Sequence, residues 1–472
     1  MKSFKQFVQE RVFNESEDKN WRKEFVTLEK GFIPSSNLRP VIEAFLDSGS
    51  ISLTHDTTKE VNMPKKSLFL VGDSVRDFML GKSPVDIELA TNATPEQIDL
   101  ILKNAGFRSS TDGSQGGKTY SVSTNSVDVF VNGQKFKVST FRKDSEAEGE
   151  DFVDNPHEDT ARRDLTVNAM YLELTKPDGE NKKLYDPTKK GYHDAHNKTV
   201  RVAGKAKESF EKDKTRILKA LRLSCKFGKG TKMDKDTERA IRDLADLEGL
   251  DLETIRAEFL KGLDDKDVDP KKYVGLYARF GLINKVFPGL SINLDVPSQL
   301  RDKRDRYLSL AWILQNNSSE KVREALSPSR MVGDKEISTG WSSRERDIIS
   351  YFIHLNDFDP SNLVDNVREK NALGISKDQI KKWVDLFDQV DDRQVRNSRP
   401  TWAKKVRSFA NFEPDSTKLV TWFSKDDQGN ATDEIHPEIR MQNRCDVPIP
   451  FRNSVLKDIN NKKLRQMFDE MN

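Results

Sequence analysis

The chain is poor in cysteine, in histidine and in long apolar runs, and each shortage excludes something. Of its 472 residues two are cysteine, Cys225 and Cys445. They lie far apart in sequence, which argues against a disulfide-built scaffold and for two reduced thiols in a cytosol-like compartment. No apolar stretch approaches membrane-spanning length, and no basic n-region leads into an apolar h-region. Excess charge of one sign is also missing: the net charge is +2, so any polyanion must be met by a local basic surface. Of the six histidines, His193 and His196 flank Asp194 and hint at a metal site. His354 and His436 are not followed by aspartate, so the C-terminal half carries no His-Asp pair of a metal hydrolase. No repeat of fixed period is visible. A third of the residues are charged and 35% are hydrophobic, which reads as soluble and helix-rich. The length predicts roughly two to four domains.

What is there concentrates in residues 68–91, LFLVGDSVRDFMLGKSPVDIELAT. Leu68-Phe69-Leu70-Val71 has the length and composition of a buried strand. Gly72-Asp73-Ser74 turns the chain into a short helix with Val75, Phe78 and Met79 at helical spacing, and Gly81 stops it. Pro84 then opens a second strand in which Val85, Ile87 and Leu89 alternate with Asp86 and Glu88. Strand side chains alternate faces, so the two carboxylates are expected on one side and the three aliphatics in the core. A strand-turn-helix junction suits a phosphate, and paired carboxylates suit a divalent cation.

Around this stretch the chain falls into four parts. Residues 1–65 read as a polar N-terminal extension, with a short amphipathic helix at its start through Phe4, Phe7 and Val8. That decapeptide loosely resembles segments that target internal proteins to tailed-phage capsids. Residues 66–175 read as mixed α/β: a helix over 95–105, strand-like runs at 120–122, 127–131 and 136–141, and a tight Asn132-Gly133 hairpin. Residues 142–157 read as a polar loop, followed by a strand at 171–174. From about 205 onward helical periodicity dominates, as in Leu252, Ile255 and Phe259, in Leu308 and Trp312, and in Ile348, Ile349 and Phe352. Pro288-Gly289, Ser327-Pro328, Asp359-Pro360 and residues 448–450 cut that half into bundles. Residues 176–265 and 266–472 are taken as two successive helical parts.

In order and spacing these segments resemble the tRNA nucleotidyltransferase (CCA-adding) and bacterial poly(A) polymerase family, the second class of the DNA polymerase β-type nucleotidyltransferases. The match runs from about 68 to about 263. The first motif of that family stands here as Gly72-Asp73-Ser74-Val75-Arg76-Asp77, then Asp86-Ile87-Glu88. Phe136 to Arg142 resembles the strand before the flexible loop. Residues 158–169, EDTARRDLTVNA, resemble the second motif. Asp186, Gly191, Asp194 and Arg201 fit the third, Asp213, Arg216 and Arg222 the fourth, and Glu253, Arg256 and Glu258 the helix-stabilising motif of the neck.

The resemblance implies an α+β protein: a polymerase β-like head followed by an all-α neck (176–265), body and tail (266–472). It implies attack of an RNA 3′-hydroxyl on the α-phosphate of CTP or ATP, with release of pyrophosphate. Asp86 and Glu88 would be the catalytic carboxylates and would hold two Mg²⁺ ions. Gly72, Asp73, Ser74, Arg76 and Asp77 would cradle the triphosphate, with Arg76 on its charge. Arg162 and Arg163 would reach phosphate or ribose, while Asp164 and Asn168 fix their turn. Asp213 and Arg216, three apart on a predicted helix, would read the base edge, with Lys219 and Arg222 beside them. Asp128 is a candidate third acid. The tRNA acceptor end would lie along a basic stripe, since Lys198 to Lys232 holds twelve Lys or Arg against three acids. The expected location is cytoplasmic, the host cytoplasm for a phage-encoded chain.

Four residues depart from the family pattern. Asp73 replaces a glycine and sets an anion beside the triphosphate, Glu88 replaces aspartate, Lys212 replaces an acid, and Lys219 replaces arginine and its planar fork. Three readings follow: CCA addition, poly(A) or partial addition, and a degenerate nucleotidyltransferase fold that binds RNA or serves as structure. Bland alternatives exist for each group: two solvated edge-strand acids, a surface Arg-Arg-Asp network, an i,i+3 salt bridge.

Overall fold

The Asn132-Gly133 pair turns the chain as its composition requires: both residues take positive φ, 51° and 80°, and Val131 pairs with Gln134 across them. The turn belongs to a computed structural model that describes residues 25–55, 59–84, 86–110, 117–143, 152–297, 300, 305–332, 334–357 and 363–387. It also describes short pieces at 402–403, 406–407, 410, 423–425 and 431–435. The amphipathic start of the extension, Val85, half of the 142–157 loop (144–151), Asp359-Pro360, Cys445 and residues 448–450 lie outside the described residues. The chain divides into two compact units between Leu244 and Ala245.

The first unit opens with β1 (Val26–Phe32), α1 (Arg39–Leu46) and the small hairpin β2 (Ser52–His55) and β3 (Lys59–Asn62). Then come β4 (Leu68–Val71), α2 (Asp73–Met79), β5 (Ile87–Thr91) and α3 (Pro95–Asn104). Next are β6 (Arg108–Ser109), β7 (Lys118–Val122), β8 (Ser126–Val131) and β9 (Gln134–Thr140). After α4 (Pro156–Thr160) follow β10 (Tyr171–Glu173) and β11 (Asn181–Tyr185). The unit closes with α5 (Gly191–His196), β12 (Thr199–Val200), α6 (Ala206–Lys212), α7 (Thr215–Lys226), β13 (Lys232–Met233) and α8 (Lys235–Asp243).

Nine strands form one mixed sheet in the order β1-β11-β10-β4-β5-β9-β8-β7-β6. Its centre is β4, buried at all four positions, antiparallel to β5, which in turn runs parallel to β9. Phe69, Val71, Ala90, Phe141, Val153, Tyr171 and Tyr185 pack as a core cluster against this sheet. Helix α3 is started by a capping box: the Gln97 N–H donates to Thr94 Oγ1, and the Thr94 N–H donates to the Gln97 side chain.

Two readings of the sequence change. Residues 25–65 are no free-standing extension. Val26–Phe32 pairs with β11 as the sheet edge, and α1 buries Val41, Ile42, Ala44 and Phe45. The edge strand VTLEKGF buries only two side chains, Leu28 and Phe32, too few to produce a visible alternation. The second strand of the 68–91 stretch begins later than Pro84, at Ile87. Asp86 therefore stands exposed just before the strand, and Ile87 is only half-buried.

The second unit is helical, as its periodicity predicts: α9 (Leu252–Asp264), α10 (Pro270–Arg279), α11 (Ile283–Val286), α12 (Arg306–Leu314), α13 (Ser319–Ala325), α14 (Ser343–His354), α15 (Leu363–Leu373) and α16 (Lys377–Phe387). Aromatic rings fill it. Phe259 stacks on Tyr273 at 5.6 Å, and Trp383 meets Trp312 and Phe387 edge to face, while Trp312 and Phe387 are tilted against each other. Two hairpins interrupt it, β14 (Ser329–Val332) with β15 (Lys335–Ser338) and β16 (Phe423–Lys425) with β17 (Ala431–Ile435). Their short, polar strands give no periodic signal. Among the described residues no helix is long and apolar enough to cross a membrane.

Candidate nucleotide site

The site grows from the turn after β4. Gly72 has φ 65° and ψ −140°, a conformation closed to side-chain-bearing residues, and a Cβ there would stand 2.3 Å from Glu88 Oε2. The glycine thus lets the strand carboxylate lie against the backbone. Ser74 ties the two elements: its hydroxyl donates to the Asp86 carbonyl at 2.7 Å and accepts from the Glu88 N–H at 2.9 Å.

Arg76 is buried and spends its donors inward. Nε and Nη2 donate to Asp77 Oδ1 at 2.9 and 2.7 Å, and Nη1 donates to Asn168 Oδ1 at 3.1 Å and to Asp73. The structure therefore ties Arg76 as a strut between α2 and the second motif. Asp73 has a counter-cation, while half of its side chain stays open to the cavity.

The second motif forms the opposite wall. Asp164 Oδ1 accepts from the Leu165 N–H at 2.7 Å and from Asn168 Nδ2 at 3.1 Å, which folds the residues around Thr166 into a single 3₁₀ turn. From behind, Asp194 accepts from Thr166 Oγ1 at 2.8 Å and from Arg201 Nε at 2.9 Å. Gly191 admits this contact, because a Cβ would meet the Thr166 carbonyl at 2.4 Å.

The fourth motif departs from the single-helix picture. Asp213 ends α6 in an extended conformation, and Arg216 lies in the first turn of α7. The Asp213 carboxylate accepts from the Thr215 N–H at 2.9 Å, a local side-chain bond that starts the next helix instead of prolonging the last. The pair still meets, Nε to Oδ2 at 3.6 Å. Arg216 also donates to Ser209 Oγ at 2.7 Å and to the Arg162 carbonyl at 2.8 Å, linking the third wall to the second.

These walls enclose a cavity of about 310 Å³. Gly72, Asp73, Arg76, Glu88, Arg162, Arg163, Asp164, Asn168, Asp213, Arg216, Lys219 and Arg222 all line it. Ser74, Asp77 and Asp86 do not: the first two brace its floor, and Asp86 stands outside at the lip. Leu165, Leu223 and Lys226 also line it, and sequence reasoning passed over them. Lys226 could have been found from spacing, since Arg216, Lys219, Arg222 and Lys226 follow one face of α7. Asp128 pairs with Lys135 at 2.8 Å and is not among the lining residues.

The electrostatics of the cavity are uneven. Solvent reaches part of Glu88, but the surrounding wall desolvates its carboxyl and pushes it above the usual glutamate range; the Asp73 charge adds to this, while Arg163 and Lys137 oppose it. A hard cation is the natural partner of such a carboxylate. Among the described residues no three His, Cys, Asp or Glu converge as a closed metal cage.

Residues 68–201 match the family described as the poly A polymerase head domain. Residues 68–201 are thus similar to that head domain, here a mixed sheet with helices. The chain is also similar to CCA-adding enzymes. It is 33% identical over 200 residues to the CCA-adding enzyme of Leuconostoc mesenteroides subsp. mesenteroides, covering 41% of this chain and 45% of that one. To the mitochondrial CCA tRNA nucleotidyltransferase 1 of Homo sapiens it is 30% identical over 272 residues, 54% and 58% of the two chains. The chain spans about half the length of the first curated relatives it matches. The crystal structure of the Bacillus stearothermophilus CCA-adding enzyme in complex with CTP shares the fold, with a TM-score of 0.55 at 19% identity over 93% of this chain and 98% of that one.

Proposed function

We propose that the protein adds C and A nucleotides, without a nucleic-acid template, to the 3′ end of tRNA from CTP and ATP, releasing pyrophosphate. One observation carries this: Glu88 of the carboxylate ledge, an arginine turn and an Asp-Arg pair able to read a base face the same cavity, with Asp86 just outside it. The named activities of the relatives agree with it.

In this reading the Gly72 turn and the second-motif arginines receive the triphosphate and offset its charge. Asp213 presents acceptors beside the donors of Arg216, a surface that can pair with a base's Watson–Crick edge. Asp86 and Glu88 are the residues that would hold Mg²⁺, and the ion would supply charge neutralisation there. Lys219, Arg222 and Lys226 extend positive charge along α7 toward an RNA backbone. Such a reaction asks for positioning and electrostatics more than covalent help. The cytoplasm, where tRNA and nucleotides meet, is the location that fits this reading.

The test is incubation with Mg²⁺, labelled CTP or ATP, and tRNAs ending before, within or after CCA. Addition of C, C and A that then stops supports the proposal, and long A-tails replace it with poly(A) synthesis. No addition by the wild type, with addition restored in Asp73→Gly, marks a degenerate site.

A further inference from the structure

We infer that Asp159, which does not line the cavity, is the positioning residue that presents the second-motif arginines to the nucleotide phosphates; this rests on the nucleotidyltransferase reading. The Asp159 side chain is completely shielded from solvent. Its Oδ1 accepts from Arg162 Nε at 2.5 Å and from the Arg142 N–H at 3.2 Å. Oδ2 accepts from Arg163 Nε and Nη2 at 3.1 and 3.0 Å and from the Tyr171 hydroxyl at 2.7 Å. Five donors saturate a carboxylate, which has about four lone-pair directions.

The donors come from three separate places. Arg142 ends the β9 edge where the loop toward Phe152 begins, Arg162 and Arg163 follow α4, and Tyr171 starts β10. The Arg163 guanidinium also lies 5.4 Å over the Tyr171 ring. Arg162 and Arg163 are each gripped through Nε, which fixes the plane of the guanidinium, whereas Arg142 donates only its backbone N–H to Asp159. Among the described residues the terminal nitrogens of Arg162 and Nη1 of Arg163 carry no hydrogen bond. Arg163 Nη1 points toward Gly72, 3.9 Å from where a Cβ on that residue would stand.

Three arginines around Asp159, with Glu88 facing Arg163 as the second acid, leave the group one positive charge in excess. A buried hub that only stabilised the fold would need no such surplus, nor two arginines of the cavity wall held by one edge with the other edge left open. The arrangement suits a polyanion that arrives, binds and leaves again.

The experiment compares the full-length wild type with Asp159→Asn and Tyr171→Phe in nucleotide addition, in direct binding of CTP and ATP, and in thermal unfolding. Asp159→Asn should raise the nucleotide KM about tenfold or more, equivalent to the loss of one charge-assisted contact. The inhibition constant of pyrophosphate should rise in parallel, while the KM for tRNA stays unchanged. Tyr171→Phe should move the same constants in the same direction by less. A lower kcat or melting temperature with unchanged nucleotide and pyrophosphate constants overturns the inference and leaves Asp159 a fold residue. Should Asp159→Asn fail to fold, Tyr171→Phe decides by the same criterion. A wild type that transfers no nucleotide ends the functional reading alone. Binding of CTP and ATP then decides about Asp159, and a wild type that binds neither overturns both.

Discussion

Two carboxylates sit among the arginines of this head and behave in opposite ways. Asp159 is shut off from solvent, yet its acid is held below the ordinary aspartate range, because the arginine charges and the Tyr171 hydroxyl outweigh its burial. Glu88 is an exposed residue, yet its acid is pushed up, because its carboxyl lies against the Gly72 turn, which desolvates it, and Asp73 faces it. Depth alone therefore does not set the protonation of a site; the number and sign of the partners do. A saturated anion serves as a fixed post. An under-partnered one is ready to take a cation.

The largest expected effect separates the two by stability. Asp159→Ala strips the counter-charge from two arginines and should cost about 3–5 kcal/mol in denaturant unfolding. Glu88→Ala removes a desolvated anion and should leave stability unchanged or raised. Equal losses in the two variants would erase the contrast.

Activity should invert that ranking. Glu88→Gln keeps the shape of the ledge and removes its charge, and should lower the single-turnover rate of nucleotide transfer by on the order of 10²–10³. Folding and tRNA binding should be unaffected, and a rate near wild type would take Glu88 out of the chemistry.

The pH dependence has opposite signs at the two sites. Glu88 titrates above its ordinary value of 4.5, so its contribution to stability is fullest below that value and is lost as the pH rises through the folded-state value. Asp159 titrates below its ordinary 3.8, so its contribution is present above 3.8 and is lost as the pH falls through the folded-state value. Asp73→Asn removes the like charge facing Glu88. The acid limb of Mn²⁺ binding, followed by paramagnetic resonance, should then move to lower pH; an unmoved limb would show that Asp73 does not act on Glu88.

The smallest effect concerns geometry. Ser74→Ala breaks the two bonds that join α2 to the ledge and should cost about 1 kcal/mol of stability. It should also lower Mn²⁺ affinity modestly without moving the acid limb. A shift in that limb would mean that Ser74 influences the charge of Glu88 as well as its position.

Much of this head is legible without coordinates, where a feature depends on neighbours along the chain. The Asn132-Gly133 turn follows from two residues that tolerate positive φ. The β4–α2 junction follows from an apolar run, a glycine and a helical spacing. The motif set places twelve of its residues on one cavity. The failures occur where a segment depends on distant partners. Val26–Phe32 is a strand because β11 lies beside it. Asp213 caps a second helix where periodicity suggested one continuous helix. Asp86 leaves the strand because Ser74 holds its carbonyl at the lip.

For residues 68–91, the sequence by itself determined a phosphate-type turn and two acids beside it, through backbone preference and side-chain alternation acting over a few residues. Only the tertiary structure decided what each charge meets. It gave Asp73 a partner in Arg76, made Arg76 a strut, left Glu88 short of donors and surrounded Asp159 with five. Those outcomes join residues up to 92 positions apart, as in the bond from Arg76 to Asn168. Local preference carries no information at that range; packing of the sheet against its helices supplies it.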